Sequence, residues 1–234
     1  IKTGTLKLII EEGNPDSFFQ VKSRRNPNRG FLFVSKVLGK HIPVDINAID
    51  STHKKIASKI LKNIDLSKKT LLIGMAETAT LLGYGVYQNL LKDFKDLSYI
   101  SSTRFPSEQS IAFEEAHSHA PSQFLHLEDK DYEQVILIDD ELSTGNTFVG
   151  FEEVLKNNLP KLSRIVWGCL TDFRKSSVKA TQKDTKDVVS LLKGEWSFEW
   201  ADRPYALPAS ENIYSVKPKN IVKYGRYITL DHNT

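Results

Sequence analysis

The sequence holds one cysteine, Cys169, in 234 residues. A single thiol excludes an intramolecular disulfide and argues against a cysteine-rich zinc site, and a reducing, cytoplasmic setting is expected. No apolar run approaches the ~20 residues of a membrane-spanning helix and no signal peptide is visible, so no membrane partner is expected. A G-x-x-x-x-G-K-[ST] segment is missing, which excludes a Walker A phosphate loop. Internal repeats are missing too. Neither sign of charge dominates: 32 Lys and Arg stand against 29 Asp and Glu, a net charge of +3. So small an excess suits a phosphate-bearing ligand as well as nucleic acid and identifies neither.

What is present is ample for a sizeable core: 40% of the residues are hydrophobic and 26% charged. That composition fits one globular domain with an added lobe, or two small domains. Residues 5–10, "TLKLII", and 31–34, "FLFV", read as short strands around a polar loop. Apolar residues at 49, 56, 57, 60, 61 and 64 recur with helical spacing. "TLLIG" (70–74) reads as a buried strand, followed by a helix starting near Ala76–Thr78. Further strands are predicted over 97–104, 134–139 and 164–173, with a helix in "NTFVGFEEVLKNNL". Strands alternating with helices at this spacing indicate an α/β fold with a parallel sheet core flanked by helices. Residues 175–193, rich in Lys, Ser and Thr, read as a boundary. "EWSFEWAD" beyond it alternates aromatics at 196, 198 and 200, as a half-buried strand does, and these are read as core rather than as base-stacking platforms.

One stretch carries chemistry. "VILIDDELSTGNTF" (135–148) drives an apolar strand into Asp139 and Asp140 and then opens into small hydroxyl residues and a glycine. In a parallel sheet the carboxyl ends of the strands meet the crevice where ligands bind. A turn containing Gly145, the hydroxyls of Ser143, Thr144 and Thr147, and a helix starting at about Asn146 cradle a dianionic phosphate well. Two carboxylates would repel that phosphate, but they accept hydrogen bonds from ribose hydroxyls. Together the two features describe a ribose 5-phosphate site. A receiver-domain acidic strand end is the first rival. It would lie near the start of its domain, and it has no place for "STGNT". The second rival is a simple turn or cap, which one Asp would satisfy without the other.

"VILIDDELSTGNT" resembles the phosphoribosyl-pyrophosphate (PRPP) signature of type I phosphoribosyltransferases: an apolar strand, two acidic residues, two variable positions, then Ser-Thr-Gly and, one residue on, a Thr. "LIGMAETATLLGYGVY" occupies the place of that fold's pyrophosphate loop, and "SYISSTRFPSEQSIAFEEAHSHAP" the place of its flexible catalytic loop. "FLFVSKVLGKHIPVD", "GMAETAT" and "EEAHSHAP" look most like the orotate-phosphoribosyltransferase-like family associated with tellurium-resistance gene clusters. The resemblance implies a type I phosphoribosyltransferase fold, with N-terminal hood strands over 1–47 and a core over 48–175. Residues 176–234 would form a C-terminal segment that completes the hood or starts a further module. It implies transfer of 5-phosphoribosyl from PRPP to a nucleobase or base-like heterocycle with release of pyrophosphate, Mg²⁺ carried by the substrate with few direct protein ligands, and a homodimer.

By the same resemblance Asp139 and Asp140 take the ribose hydroxyls, and Ser143, Thr144, Gly145, Asn146 and Thr147 take the 5-phosphate. Backbone N–H groups of Met75, Ala76 and Glu77 face pyrophosphate. Glu77 departs from expectation, because a carboxylate there repels pyrophosphate unless it faces Mg²⁺ or the base; as an ordinary first-turn helix residue it would be favoured by the dipole. Arg104, at the mouth of the loop, reaches pyrophosphate, and Glu115, His117 and His119 lie within the loop. H-x-H suggests a metal site, but a histidine on a closing loop also donates to pyrophosphate or moves a proton. Lys36, Lys40 and His41 surround Gly39, where a ligand can approach the backbone closely, and suit pyrophosphate or an acidic base. Arg24, Arg25 and Arg29 form at most a weak nucleic-acid patch, and no nucleic-acid partner is expected. Members specific for 6-oxopurines carry an Asp where this chain has Ser143, so the pattern leans towards the orotate-like members. The alternative is a non-catalytic PRPP-sensing module on the same fold.

Overall fold

The computed structural model describes residues 1–24, 29–108, 110–113, 123–182 and 187–201. Its elements, in chain order, are β1 (Gly4–Glu12), β2 (Phe19–Ser23), β3 (Phe31–Ser35), α1 (Ile46–Ile60), β4 (Thr70–Gly74), α2 (Thr80–Leu90), β5 (Leu97–Ser101), β6 (Ile111–Phe113), β7 (Gln123–Leu125), β8 (Gln134–Leu142), α3 (Asn146–Asn158), β9 (Arg164–Asp172), α4 (Ser176–Gln182) and β10 (Asp187–Trp200). Six strands form the main sheet in the order β1-β10-β9-β8-β4-β5. The five from β10 to β5 are parallel, and β1 closes one edge antiparallel to β10. The α/β class read from the alternation of strands and helices is the class observed.

Burial explains which segments became central strands. Every residue of β4 is buried, as are residues 134–138 of β8, so both run as continuous apolar stretches shielded on two faces. Asp45 starts α1 by accepting the N–H of Asn47 at 2.8 Å and of Ala48 at 3.3 Å. The helix turns His53, Ile56, Ala57 and Ile60 inward at helical spacing. On α3 the buried face is Phe148, Phe151, Glu152 and Leu155.

Three boundaries differ from the sequence reading. α2 begins at Thr80, not at Ala76–Thr78, because Met75–Ala79 closes a separate turn in which the Ala79 N–H donates to the Met75 carbonyl at 2.9 Å. β8 runs on to Leu142, since Glu141 and Leu142 still pair with Thr171 and Asp172 of β9. The Lys-, Ser- and Thr-rich stretch holds α4 and the start of β10. That long strand stays extended by exchanging neighbours, pairing up to Lys193 with β9 and from Lys193 to Trp200 with β1. β2 and β3 form a separate two-stranded ladder joined to β10 through aromatic contacts: the Phe31 ring lies 4.9 Å from Trp196 and 5.3 Å from Phe198. Trp196 and Phe198 are therefore packing residues as expected, while Trp200 is 52% exposed.

α1 crosses α2 where Gly85 leaves room for the His53 ring; a Cβ at Gly85 would stand 1.8 Å from His53 Nδ1. Burial lowers the His53 pKa against a smaller opposing pull from Asp50. The unfolded chain therefore takes up a proton more readily than the native one, and stability falls as pH drops below about 6.5. Urea unfolding at pH 7 and pH 5 is expected to give a smaller difference in midpoint for His53→Gln than for the parent. An equal difference would remove His53 from the acid response.

Candidate active site

The chain runs from β4 outward to β5, then returns to the other side of β4 as β8 and proceeds to β9 and β10. The direction of winding reverses between β4 and β8, which opens a crevice at the carboxyl ends of those two strands. Gly74 of β4 pairs with Ile138 of β8, and the Met75 N–H donates to the Ile138 carbonyl at 2.9 Å. The turn leaving β4 thus lies directly beside Asp139.

Asp139 and Asp140 are half-buried at this strand end. Asp139 Oδ1 accepts the Asp140 N–H at 2.8 Å, and Lys40 Nζ lies 3.3 Å from Asp140 Oδ2. The strand continues through Glu141, whose carboxylate accepts Arg29 Nη2 at 3.1 and 3.4 Å. The Arg29 guanidinium in turn lies over the rings of Phe31, Phe33 and Trp196, at 4.6, 5.2 and 5.6 Å from their centroids. Burial pushes the Glu141 carboxyl up, opposed by Arg29 and reinforced by Asp140. Three consecutive carboxylates are thereby partly balanced by two cations from the segment around β3. A cavity of about 30 Å³, room for about one water, separates Phe33 and Leu38 from Asp140 and Glu141.

Behind the acidic residues the chain turns through exposed Ser143 and Thr144 into buried Gly145, which caps α3 in a left-handed conformation with φ 74°. The Asn146 N–H donates to Thr144 Oγ1 at 3.3 Å, and Thr147 is half-buried in the first turn. Opposite, Ala76 and Glu77 are joined by a cis peptide bond, with Ala76 half-buried and Glu77 exposed. The Ala76 N–H donates to Ser102 Oγ at 2.7 Å, and that buried hydroxyl also donates to Gln123 Oε1. Of the three N–H groups expected to face pyrophosphate, those of Met75 and Ala76 are thus taken up inside the protein. The Glu77 N–H has no hydrogen-bond partner among the described residues.

The remaining predicted residues are dispersed. Lys36 Nζ donates to the Asp16 carbonyl at 2.7 Å, while His41 is exposed beyond left-handed Gly39. Arg104 is half-buried just after Thr103, whose N–H and carbonyl pair with Phe124. Glu115, His117 and His119 lie outside the described residues. Cys169 pairs with Asp139 across β8 and β9; its burial pushes the thiol pKa well up, so it is no ready nucleophile.

Sequence reasoning missed Glu141, Ser102 and the buried Asp172–Arg174 pair, whose arginine lies against Gly145. Glu141 stands in the motif's first variable position, and nothing in its spacing announces Arg29. Among the described residues no group of three or more His, Cys, Asp or Glu side chains is arranged to hold a metal ion, and no helix is long and apolar enough to cross a membrane. The half-buried pair Asp139 and Asp140 fits a Mg²⁺ that takes most of its ligands from water and phosphate oxygens.

Residues 18–195 match a family model described as phosphoribosyl transferase, which is well over half of the chain. No curated protein matches. Among solved structures, the chain is similar to adenine phosphoribosyltransferase from Trypanosoma brucei in complex with AMP, pyrophosphate and ribose-5-phosphate, at 13% identity and TM-score 0.53, over 85% of this chain and 84% of that one. It is similar to adenine phosphoribosyltransferase from Thermoanaerobacter pseudethanolicus at 18% identity and TM-score 0.55, over 76% and 96%. The enzyme from Saccharomyces cerevisiae follows the same fold at 12% identity and TM-score 0.51, over 75% and 95%. At such identities the likeness is one of fold, and the family match is what assigns membership: the chain belongs to the phosphoribosyltransferase family.

Proposed function

We propose that this chain transfers 5-phosphoribosyl from PRPP to a nitrogen of a nucleobase or base-like heterocycle, releasing pyrophosphate. The observation that carries the reading is the winding reversal between β4 and β8, where paired carboxylates and a glycine turn into a helix N-terminus stand a few residues apart. Asp139 and Asp140 accept the ribose hydroxyls, with Lys40 leaving Asp140 for solvent or pyrophosphate as the sugar arrives. Ser143, Thr144, Asn146 and Thr147 donate to the 5-phosphate, joined by the backbone of Gly145 and the start of α3. With both ends of the sugar fixed, C1 is held in line between the acceptor nitrogen and the leaving oxygen. The C1–O bond to pyrophosphate breaks, a C1–N bond forms, and the acceptor's ring proton passes to the departing pyrophosphate. Asp139 and Asp140 would hold a Mg²⁺ carried in by the substrate, which would supply charge neutralisation for the departing pyrophosphate. Arg104 and the Glu115, His117 and His119 segment complete the pyrophosphate side. The acceptor enters between Phe33 and Leu38 and the acidic strand end, so the hairpin of β2 and β3 must shift outward to admit a ring.

Ser143 supports an orotate-like acceptor over a 6-oxopurine, and the segments "GMAETAT" and "EEAHSHAP" support a place near the tellurium-associated members. The exposed Leu81 and Tyr84 of α2, with Leu91 just beyond its end, support a homodimer. The single buried cysteine supports a cytoplasmic setting.

A second reading has one observation in its favour. With the Met75 and Ala76 N–H groups engaged and the Glu77 carboxylate exposed, the turn after β4 offers little to pyrophosphate. A PRPP-sensing module on this fold would have that character. Measuring pyrophosphate release from PRPP and Mg²⁺ across orotate, uracil, adenine and hypoxanthine separates the two. Release with orotate and none with hypoxanthine is expected. PRPP binding without release for any base would favour the sensor.

A further inference from the structure

The inner side of the phosphate-side turn is built from side chains that the ligand itself would not touch. A Cβ on Gly145 would lie 3.0 Å from Gln182 Oε1, 3.1 Å from Arg174 Cδ and 3.1 Å from Trp167 Cζ3, so three side chains press against the glycine from within. Arg174 is buried and anchored by a two-pronged bond to buried Asp172, Nε to Oδ1 at 2.9 Å and Nη2 to Oδ2 at 2.7 Å. Its Nη1 donates to Gln182 Oε1 at 2.8 Å, which fixes the orientation of the Gln182 amide. The opposite end of that amide, Nε2, donates to the Thr144 carbonyl at 3.3 Å.

The consequence follows from peptide geometry. In a planar trans peptide the carbonyl and the N–H point in opposite directions. Drawing the Thr144 carbonyl inward to Gln182 therefore turns the Gly145 N–H outward, to the mouth of the turn. A flipped peptide would present a carbonyl oxygen to an incoming anion instead. Glycine tolerates either orientation more readily than other residues, so its sequence neighbours do not decide the matter.

We propose that Gln182, held by the Asp172–Arg174 pair, is a positioning residue that locks the Thr144–Gly145 peptide with its N–H facing the anion. α4, the short helix in the Lys-, Ser- and Thr-rich stretch, is thus a working part of the site. The identity of the anion as the PRPP 5-phosphate rests on the function proposed above.

Gln182→Ala removes both bonds. Gln182→Glu keeps an acceptor for Arg174 but cannot donate to Thr144. Both are compared with the parent by amide exchange over residues 143–148 without ligand and by calorimetric titration with PRPP and Mg²⁺. Faster exchange in that segment and PRPP binding weakened about five- to tenfold are expected in both variants, with Tm within a few degrees of the parent. Exchange and affinity equal to the parent in folded Gln182→Glu would overturn the lock. A parent that binds no PRPP would overturn the proposed function instead, while the exchange comparison still decides whether Gln182 holds the turn.

Discussion

The double variant Asp139→Asn/Asp140→Asn is expected to bind PRPP at least about 100-fold more weakly than the parent while keeping its fold. A hydrogen bond to a charged group contributes roughly 1.5–3 kcal/mol. Two ribose hydroxyls losing carboxylate acceptors therefore lose roughly 3 kcal/mol or more, which is about two decades in Kd. Asparagine preserves the size of each side chain, and the strand is held by backbone pairing of β8 with β4 and β9, which the substitutions do not touch. On the stability side, Lys40 loses a partly exposed partner at a cost of at most about 1 kcal/mol. Glu141 meanwhile loses a like charge next to it, which offsets some of that cost. Calorimetric titration beside a thermal melt separates the two effects. A variant that melts like the parent and binds PRPP equally well would detach the acidic pair from the sugar.

Arg174→Met is expected to produce the largest loss of stability, about 3–5 kcal/mol, because it leaves the carboxylate of Asp172 buried without its partner. For a chain of this size that corresponds to a fall in Tm of roughly 6–20 °C. The Arg174 side chain also packs on Trp167, its guanidinium carbon 5.5 Å from that ring, so part of the loss is packing. Removing the charge as well, in Arg174→Met/Asp172→Asn, is expected to recover part of the deficit, since the uncompensated ion is the main cost. Thermal unfolding of the two variants checks this. A double variant no more stable than the single one would place the cost in packing around Trp167 and Gly145.

The legible parts of this chain are those whose physics is local. A run such as "TLLIG" between turn signals has few homes other than the interior of a parallel sheet, and the first apolar stretch of "VILIDDELSTGNT" has the same character. The start of α3 at Asn146 was legible too, because Gly145 and the small hydroxyl residues before it form a stop followed by a start. Long-range partners were not legible. Arg29 and Glu141 stand 112 positions apart and meet because β3 folds over the end of β8. Ser102 reaches Ala76 because β5 lies beside β4. The polar stretch after β9 reads as a linker because lysine and serine usually are solvent-facing, yet the sheet recruits residues 187–193 as a strand through neighbours only the fold supplies. The start of α2 departs from the sequence reading for a related reason. Residues 76–79 have fair helix propensity, and the turn they form is imposed by bonds from β8 and Ser102 rather than by their own sequence.

Binding of PRPP by this chain is decided by calorimetric titration of the parent protein with PRPP in Mg²⁺. One site per chain is predicted, with binding that ribose 5-phosphate competes for. A folded protein that gives no heat of binding with PRPP, and no change in melting temperature in its presence, would not be a PRPP-binding protein.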